Sequence, residues 1–460
     1  MTSQAKALLF AACIAMFPLC GFGPDSDPRV DGDFIVTVAP AYHALAALHG
    51  EERFPRGAQL LLVHQGTPEP LVNGFAAASD ANVFFDGAHV LFAGKKSVND
   101  PWQIWELALA DKSLRQLTSG KVDAIRPLYL PGERFVYAVH TQAGYQLVSA
   151  PLNPQSADQP AAQPLTYAGA NAIPTDVLAD GRILFESGFP LGSGTTPELY
   201  LVYSDGSGVE SYRCDHSVTR WGGMQLASGD IVFTHGSSLA RFTSPLAHEE
   251  HIAAPRADYA GSIAETPSGD WLLSARSPAE KNYAIKLWKP GSASLNSVLT
   301  QPGSDLVEPV LVAPRRIPKR HPSGLHPWDY ANVLALDARI SRDGALKGVP
   351  VTVRIEQKGT DGKAIALGTS PIESDGSYFV KVPGDKPIRF AVLDAKGIVL
   401  RQERGWFWAR SGEQRYCVGC HAGPERAPEN RIPAVLLRTT TPTDLTSSSV
   451  PTQHASAGGR

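Results

Sequence analysis

The sequence predicts a mainly β protein in which a six-bladed β-propeller is followed by a small β-sandwich that carries a CxxCH segment. Glycine and proline number 42 and 37 among 460 residues, and they separate short apolar runs rather than long helical periods. A glycine-led, β-rich unit recurs five times, at spacings of 45, 49, 48 and 40 residues. Alternating apolar and polar residues then precede the cysteine pair of Cys417–His421.

Length and charge limit the range of architectures and partners. A chain of 460 residues exceeds what one hydrophobic core usually holds, which predicts two or three domains. Lys and Arg number 42 against 45 Asp and Glu, so the formal net charge is -3. We therefore expect no nucleic-acid partner, because nucleic-acid binding needs a strongly basic surface.

Residues 1–23 have the layout of an export signal. Lys6 precedes the apolar run Ala7–Leu19, which is too short to span a bilayer, and a polar segment follows Cys20. We therefore expect an exported protein of the periplasm or cell envelope. Lipidation of Cys20 and plain signal cleavage both stay open, and peripheral membrane association is expected only if Cys20 is lipidated.

Residues 34–313 are predicted to form the propeller. A period of this size is typical of propeller blades, each with a turn glycine followed by three strands. The leading glycines are Gly87, Gly132, Gly181, Gly229 and Gly269. The predicted first strands are His89–Phe92, Phe135–Ala138, Ile183–Glu186, Ile231–Thr234 and Trp271–Ser274. Gln59–Val63 and Leu306–Val312 are expected to close a sixth blade from both ends, which leaves no free sheet edge. Segments such as Leu178–Phe185 resemble the periplasmic TolB-type propeller repeat.

The C-terminal part divides into three segments. Residues 314–329 are Pro-rich and basic, which predicts an extended, solvated linker. Residues 330–438 are predicted to form the β-sandwich, since Val349–Ile355 alternates and Ile388–Leu400 reads as a hairpin. This segment resembles the transthyretin-like, carboxypeptidase-regulatory type of module. Residues 439–460 lack an apolar period and are expected to be disordered.

The motif Cys417–His421 predicts one covalently attached haem c. The thiols of Cys417 and Cys420 would each bond a vinyl group, and His421 is expected to be the proximal iron ligand. A zinc site would need four ligands, and outside the leader the remaining cysteine is Cys214 in another domain. A redox-active dithiol or a labile disulfide is the other alternative.

The second axial ligand of the iron stays open. His326 in the linker and Met224 in the propeller are the candidates, and a five-coordinate iron is equally compatible. Trp406–Trp408 could cover the porphyrin or belong to the sandwich core. Four arginines are candidate partners for the haem propionates: Arg410, Arg415, Arg426 and Arg431.

Several C-terminal segments resemble the middle domain of the hydrazine synthase alpha subunit. They are Asp375–Val380, Trp406–Trp408, the CxxCH motif itself and Ala427–Arg431. The resemblance implies a catalytic c-type haem, with a tyrosine shortly after the motif as an iron ligand and a motif histidine free to bind zinc. This sequence has Glu425 there and no tyrosine between His421 and Arg460. We therefore expect neither that ligand, nor a C-terminal domain with a second haem, nor hydrazine synthesis itself.

Together these features predict an exported monohaem c-type cytochrome-like protein. Electron transfer or redox chemistry would take place at the haem, and the propeller would dock a redox partner protein. One alternative is a non-catalytic, TolB-like binding scaffold of the cell envelope. The other is an oxidoreductase whose haem acts on small nitrogen compounds. No residue is assigned a catalytic role from the sequence, since no hydrolase, metalloprotease or phosphate-binding motif occurs in the propeller.

Overall fold

The structure is a computed structural model that describes residues 30–153, 161–213, 219–341, 344–419 and 430–447. Within these ranges the chain is almost entirely β, which confirms the predicted mainly β class. The helical segments there are a 3₁₀ turn, Ala46–His49, and one short helix, α1, Ala434–Arg438. Among the described helices, none has the length and apolar character needed to cross a membrane. The predicted export signal lies outside the described residues.

The propeller-like domain contains six four-stranded antiparallel sheets in the described residues from 34 to 311. The strands of its first half are β1 (Phe34–Ala39), β2 (Gln59–His64), β3 (Thr67–Pro70), β4 (Ala77–Val83), β5 (His89–Lys95), β6 (Gln103–Ala108), β7 (Leu114–Gln116), β8 (Ala124–Leu130), β9 (Arg134–Thr141), β10 (Gly144–Pro151), β11 (Gln163–Pro164) and β12 (Ala172–Val177). Those of its second half are β13 (Ile183–Phe189), β14 (Thr196–Val202), β15 (Glu210–Ser211), β16 (Arg220–Gln225), β17 (Ile231–His235), β18 (Ser238–Phe242), β19 (Glu250–His251), β20 (Asp258–Glu265), β21 (Trp271–Arg276), β22 (Ala284–Trp288), β23 (Asn296–Leu299) and β24 (Asp305–Leu311).

The six sheets follow one another in a ring. Strands β4, β8, β12, β16, β20 and β24 are the inner strands, and each contacts the inner strand of the next sheet, with β24 reaching β4. The late strand β24 pairs with the early strand β1, so that Phe34 lies opposite Leu311. This sheet has the order β24-β1-β2-β3 and therefore joins both ends of the domain. The pairing covers a sheet edge that would otherwise be exposed.

One part of the predicted blade pattern was wrong. The predicted first strands correspond to β5, β9, β13, β17 and β21, and each is the second strand of its sheet. An inner strand that the sequence interpretation did not recognise comes before each of them. The leading glycines lie in the turns between these two strands, where Gly87 has a φ of 79° and Gly229 a φ of 97°. Such angles favour glycine because it has no Cβ atom.

The C-terminal β domain has two four-stranded sheets in the described residues, with strand orders β31-β25-β28-β32 and β27-β26-β29-β30. Their strands are β25 (Tyr330–Asp337), β26 (Thr352–Lys358), β27 (Ala364–Pro371), β28 (Tyr378–Pro383), β29 (Ile388–Leu393), β30 (Val399–Gln402), β31 (Gln414–Gly419) and β32 (Thr443–Asp444). One hydrophobic core lies between the sheets, since Val333 and Val380 of one sheet are buried with Val353, Ile355 and Phe390 of the other.

The C-terminal domain extends further than predicted. Residues 439–447 were expected to be disordered, yet Thr443–Asp444 pairs in parallel with β28. Leu445 is 5% exposed and belongs to the domain core. The Thr443 hydroxyl also lies 2.8 Å from that of Ser370. The apolar signal of this segment is one buried leucine, which is too short for a periodicity argument. The rest of the predicted tail, from residue 448, lies outside the described residues.

The segment between the domains is fixed to the propeller-like domain rather than fully solvated. The backbone N–H of Arg315 donates to the Phe85 carbonyl at 2.9 Å, and the Arg315 guanidinium lies 4.7 Å from the centre of the Phe85 ring. The His321 ring stacks on Tyr203 with centroids 3.8 Å apart. The linker therefore follows the surface of the propeller-like domain and fixes where the C-terminal domain begins.

Candidate functional site

The two domains meet along β13–β15 of the propeller-like domain. The indole N–H of Trp408 donates to the Gly206 carbonyl at 2.9 Å, and Trp408 is 1% exposed. The Arg410 guanidinium donates to the Asp205 carbonyl at 2.8 Å and to the hydroxyl of Tyr167. These contacts hold the C-terminal domain against the sheet in a single orientation.

A cavity of about 210 Å³ lies at this junction, between the two domains. The propeller-like domain contributes Phe189, Pro190, Leu191, Tyr200, Val209, Glu210 and Ser211 to its lining. The C-terminal domain contributes Tyr378, Phe390, Glu403, Arg404, Gly405, Trp406, Phe407, Arg415, Cys417 and Gly419. The cavity is therefore mostly apolar, with carboxylate and guanidinium groups among the lining residues.

Cys417, the first cysteine of the CxxCH motif, lies in the wall of this cavity. It is the fourth residue of β31, an edge strand that runs parallel to β25 and places Cys417 opposite Ala335. Its side chain is half-buried and packs against the C-terminal domain core. Burial raises the pKa of the Cys417 thiol, although the neighbouring Arg415 guanidinium opposes this effect. Cys420 and His421 lie outside the described residues.

Arg415 lies two residues before Cys417 and connects the motif to the propeller-like domain. Its guanidinium donates to the Val209 carbonyl at 2.6 Å and to the Glu413 carboxylate at 3.4 Å. It also lies 5.5 Å from the centre of the Phe407 ring. Because side chains alternate along a strand, Arg415 and Cys417 point to the same side of β31, which explains why both line the cavity.

The predicted aromatic cover is divided between two places. Trp406 and Phe407 line the cavity, whereas Trp408 packs into the propeller-like domain core. Phe407 also contacts the C-terminal domain core. The sandwich-core role considered from the sequence therefore applies to Phe407, whereas Trp408 packs in the core of the other domain.

Of the four predicted propionate partners, Arg415 lines the cavity. Arg410 is bound instead at the domain junction, where it also pairs with Asp385 at 2.5 Å. Arg431 pairs with Asp375 on the surface of the C-terminal domain. Arg426 lies outside the described residues. Arg404 lines the cavity and was not among the predicted partners.

The structure does not bring the two distal-ligand candidates to the Cys417 cavity. The His326 ring stacks on Trp328 with centroids 4.3 Å apart, and neither residue lines the cavity. Met224 lies in another cavity, on the inner strands of the propeller-like domain, where its sulfur accepts the Ile263 N–H at 3.0 Å. Neither residue is within the site as the described residues form it.

The propeller side of the cavity is what the sequence interpretation missed. Leu191, Tyr200 and Val209 come from β14 and its flanking segments, about two hundred positions before the motif. Nothing in their local sequence marks them, because they belong to an ordinary repeat unit. Only the docking of the two domains makes them part of the site.

Fold and site together define a class of two-domain β proteins in which a propeller-like domain and a C-terminal β domain enclose a cavity beside a CxxCH cysteine. Residues 329–422 match the family model of the hydrazine synthase alpha subunit middle domain. This part of the chain is therefore similar to the hydrazine synthase alpha subunit middle domain, as the sequence resemblance predicted.

Two comparisons with hydrazine synthase of Kuenenia stuttgartiensis agree with this relationship. Its subunit alpha is 35% identical over 77 residues, which are 16% of this chain and 10% of that protein. The matched segment thus spans a tenth of the relative's length. The solved hydrazine synthase structure has a TM-score of 0.75 at 18% identity and covers 89% of this chain and 71% of its own. The shared fold therefore includes both domains.

A second similar solved structure is TolB from Acinetobacter baumannii. It has a TM-score of 0.46 at 15% identity, and the match covers 61% of this chain and 67% of that chain.

Proposed function

We propose that this chain is an exported monohaem c-type cytochrome-like protein that carries out electron transfer or redox chemistry. One haem c would be bonded to Cys417 and Cys420, with His421 as the proximal iron ligand. The propeller-like domain would dock a redox partner protein. The observation that carries the proposal is that Cys417, half of a CxxCH motif, lines an apolar cavity between the domains.

The residues of the cavity suit a porphyrin. Phe390, Trp406 and Phe407 provide apolar surface for the ring, and Arg404 and Arg415 can pair with its propionates. At about 210 Å³ the cavity is smaller than the roughly 300–1,000 Å³ that is usual for ligand pockets. When bound, the haem would supply a one-electron couple for electron exchange with a docked protein.

The finer features of the fold and location belong to the same proposal. The six sheets would be the blades of a six-bladed β-propeller. The two C-terminal sheets would form a transthyretin/carboxypeptidase-regulatory-like sandwich, with the CxxCH segment at its edge. Haem attachment to such a motif takes place outside the bacterial cytoplasm, which supports a periplasmic or cell-envelope location. Peripheral membrane association would require a lipidated Cys20.

The absorption spectrum of the exported chain tests covalent attachment. The chain is produced together with a c-type haem maturation system, and its haem spectrum is measured after acidified-acetone extraction, which removes non-covalent haem. We expect one haem per chain, lost in the Cys417→Ala, Cys420→Ala double variant and kept in the matched Cys214→Ala variant. A wild-type chain that retains no haem after extraction would contradict the proposal and favour the non-catalytic scaffold.

A second candidate function is an oxidoreductase whose haem acts on small nitrogen compounds. The relationship to hydrazine synthase favours it, although hydrazine synthesis itself is not proposed for this chain. Carbon monoxide distinguishes the two functions, because it binds ferrous iron that has an open coordination position. A spectrum of the reduced protein that is unchanged by carbon monoxide supports electron transfer, and a shifted spectrum supports the enzyme.

A further inference from the structure

We propose that His235, Glu249 and His251 form a binding site for a divalent transition-metal ion, of the Zn²⁺ class. The three side chains lie at the outer part of the sheet β16–β19, away from the cavity of Cys417. Their ligand atoms all lie within 4.8 Å of one another. This proposal is independent of the haem proposal, because it uses none of the same residues.

The strand register brings the two histidines together. His235 ends β17 and pairs with Ser238 of β18, while His251 in β19 pairs with Ala240 of the same strand. Ser238 and Ala240 are two positions apart, so they face the same side of the sheet. The histidines consequently lie on the same face, diagonally across β18, with ring centroids 5.1 Å apart.

Glu249 is held in place as a third ligand by a buried arginine. Both Nε and Nη2 of Arg220 lie 2.7 Å from one oxygen of Glu249, Oε2. The other oxygen, Oε1, is in close contact with Nδ1 of His235. Oε2 is thus held by Arg220, which matches the outer-shell support that metal ligands usually have, and Oε1 is the oxygen that would exchange its contact with His235 for a metal ion.

The local charges leave a net negative site. Arg220 is 1% exposed and also pairs with Glu198 at 3.1 Å, and the Glu198 side chain is 1% exposed. The guanidinium charge is thereby offset by Glu198, and the charge of Glu249 is left to attract a cation. A site with one carboxylate and neutral imidazoles can therefore accept a dication.

The donor set defines the class of metal. Two imidazole nitrogens and one carboxylate oxygen are ligands of Zn²⁺ and its neighbours rather than of Mg²⁺ or Ca²⁺, which prefer oxygen donors. His251 is exposed, so solvent can complete the coordination. Bound metal would join β17 to β19, an edge strand of only two residues, and so fasten the outer part of this sheet.

Zn²⁺ titration of the full chain tests the site. The Cys417→Ser, Cys420→Ser background removes the motif thiols, and binding is measured by competition with a chromophoric chelator. We expect His235→Ala and His251→Ala each to weaken one Zn²⁺ equivalent at least tenfold, consistent with the loss of one of three ligands. His248→Ala is the matched control, since this exposed histidine lies next to Glu249 but outside the cluster.

A second measurement uses Co²⁺ on the same chains. A nitrogen and oxygen donor set gives visible d–d bands without the thiolate charge-transfer bands of a cysteine site. We expect His251→Ala to abolish those bands. Because His251 is exposed, this variant should keep its fold, which circular dichroism checks. Zn²⁺ affinity equal in wild type, His235→Ala and His251→Ala, or a loss of affinity in His248→Ala as large as in those two variants, would overturn the proposal.

Discussion

Three charged residues of the propeller-like domain, two buried and one partly buried, have an unusual backbone conformation. Asp80, Arg126 and Glu308 have φ values of 61°, 53° and 59°, which non-glycine residues seldom adopt. Each lies where the pairing of its inner strand shifts register, as in a β-bulge. Arg53 joins two of them, at 2.5 Å from Asp80 and 2.7 Å from Glu308. The bulges thus aim the charged side chains at one another, and the ion pairs offset the backbone strain.

Substitution of Arg53 tests this network. Arg53→Met removes a cation whose side chain is 4% exposed and leaves two buried carboxylates that still pair with the Arg126 guanidinium. We expect the free energy of unfolding, measured by urea denaturation, to fall by about 3 kcal/mol, the usual cost of breaking a buried pair. Lys363→Met removes an exposed pair and should cost less than about 0.5 kcal/mol. A loss below about 1 kcal/mol for Arg53→Met would show that the network does not stabilise the fold.

The Asp375 carboxylate holds the start of helix α1 to the C-terminal domain, and Glu373 pairs with Arg438 at its end. Asp375 accepts the N–H of Ala434 at 2.7 Å and both the N–H and hydroxyl of Ser377, and it pairs with Arg431. The Ser377 hydroxyl oxygen in turn accepts the Val435 N–H at 3.1 Å. Burial acts to raise the pKa of Asp375, but these hydrogen bonds outweigh it and lower the pKa to about 2.

This pKa predicts an acid-sensitive contribution to stability. The folded value is below the unfolded value of about 3.9, so Asp375 stabilises the fold above pH 4, and this contribution is lost as the pH falls towards 2. After allowance for solvent screening, we expect Asp375→Asn to lower the free energy of unfolding by about 1 kcal/mol at pH 6. The difference from wild type should shrink towards pH 2.5, as chemical denaturation across this pH range would measure.

The exposed turn residue Asp361 provides the control for this experiment. Its carboxylate accepts the Lys363 N–H at 3.0 Å in a surface turn and holds no second element. The free energy of unfolding of Asp361→Asn should therefore change with pH in the same way as that of wild type. If the difference in free energy of unfolding between Asp375→Asn and wild type is the same at pH 6 and pH 2.5, the charge of the Asp375 carboxylate does not hold the helix in place.

At the scale of elements, the sequence predicted those strands whose pattern is local. Strands β5, β9, β13, β17 and β21 are apolar runs that follow a turn glycine, and a short window is enough to recognise them. The inner strands contain bulges and charged or proline residues, such as Arg126, Pro127 and Pro174, because one face lines the centre of the ring. These residues interrupt the period of two, so the strands carry no local signal.

The same contrast applies to the site. Cys417 could be predicted because the spacing of a CxxCH motif is set by covalent chemistry. Leu191 and Val209, on the opposite side of the cavity, could not be predicted, because they become part of the site only when the two domains dock. Met224 shows the converse: it was a candidate on chemical grounds, and the fold holds it in a different cavity.

At the scale of the whole molecule, hydrogen bonds from both backbone and side-chain groups join the two domains. The Trp406 N–H donates to the Leu191 carbonyl at 2.6 Å, and the Lys358 ammonium donates to the Gly192 carbonyl at 2.7 Å. Trp408 and Arg410 add the contacts described above. A junction that satisfies buried polar groups of both domains couples their unfolding, because neither domain can unfold without exposing groups of the other.

Calorimetry of an interface variant tests this coupling. We expect wild type to unfold in one transition. The double variant Trp408→Ala, Arg410→Ala should show two transitions, one for each domain. It loses a fully buried indole and a guanidinium that bonds both domains. Arg401→Ala is the control, since Arg401 bonds the Gly344 carbonyl within the C-terminal domain. Two transitions already in wild type would mean that the domains are independent, and the cavity beside Cys417 could then open without unfolding either one.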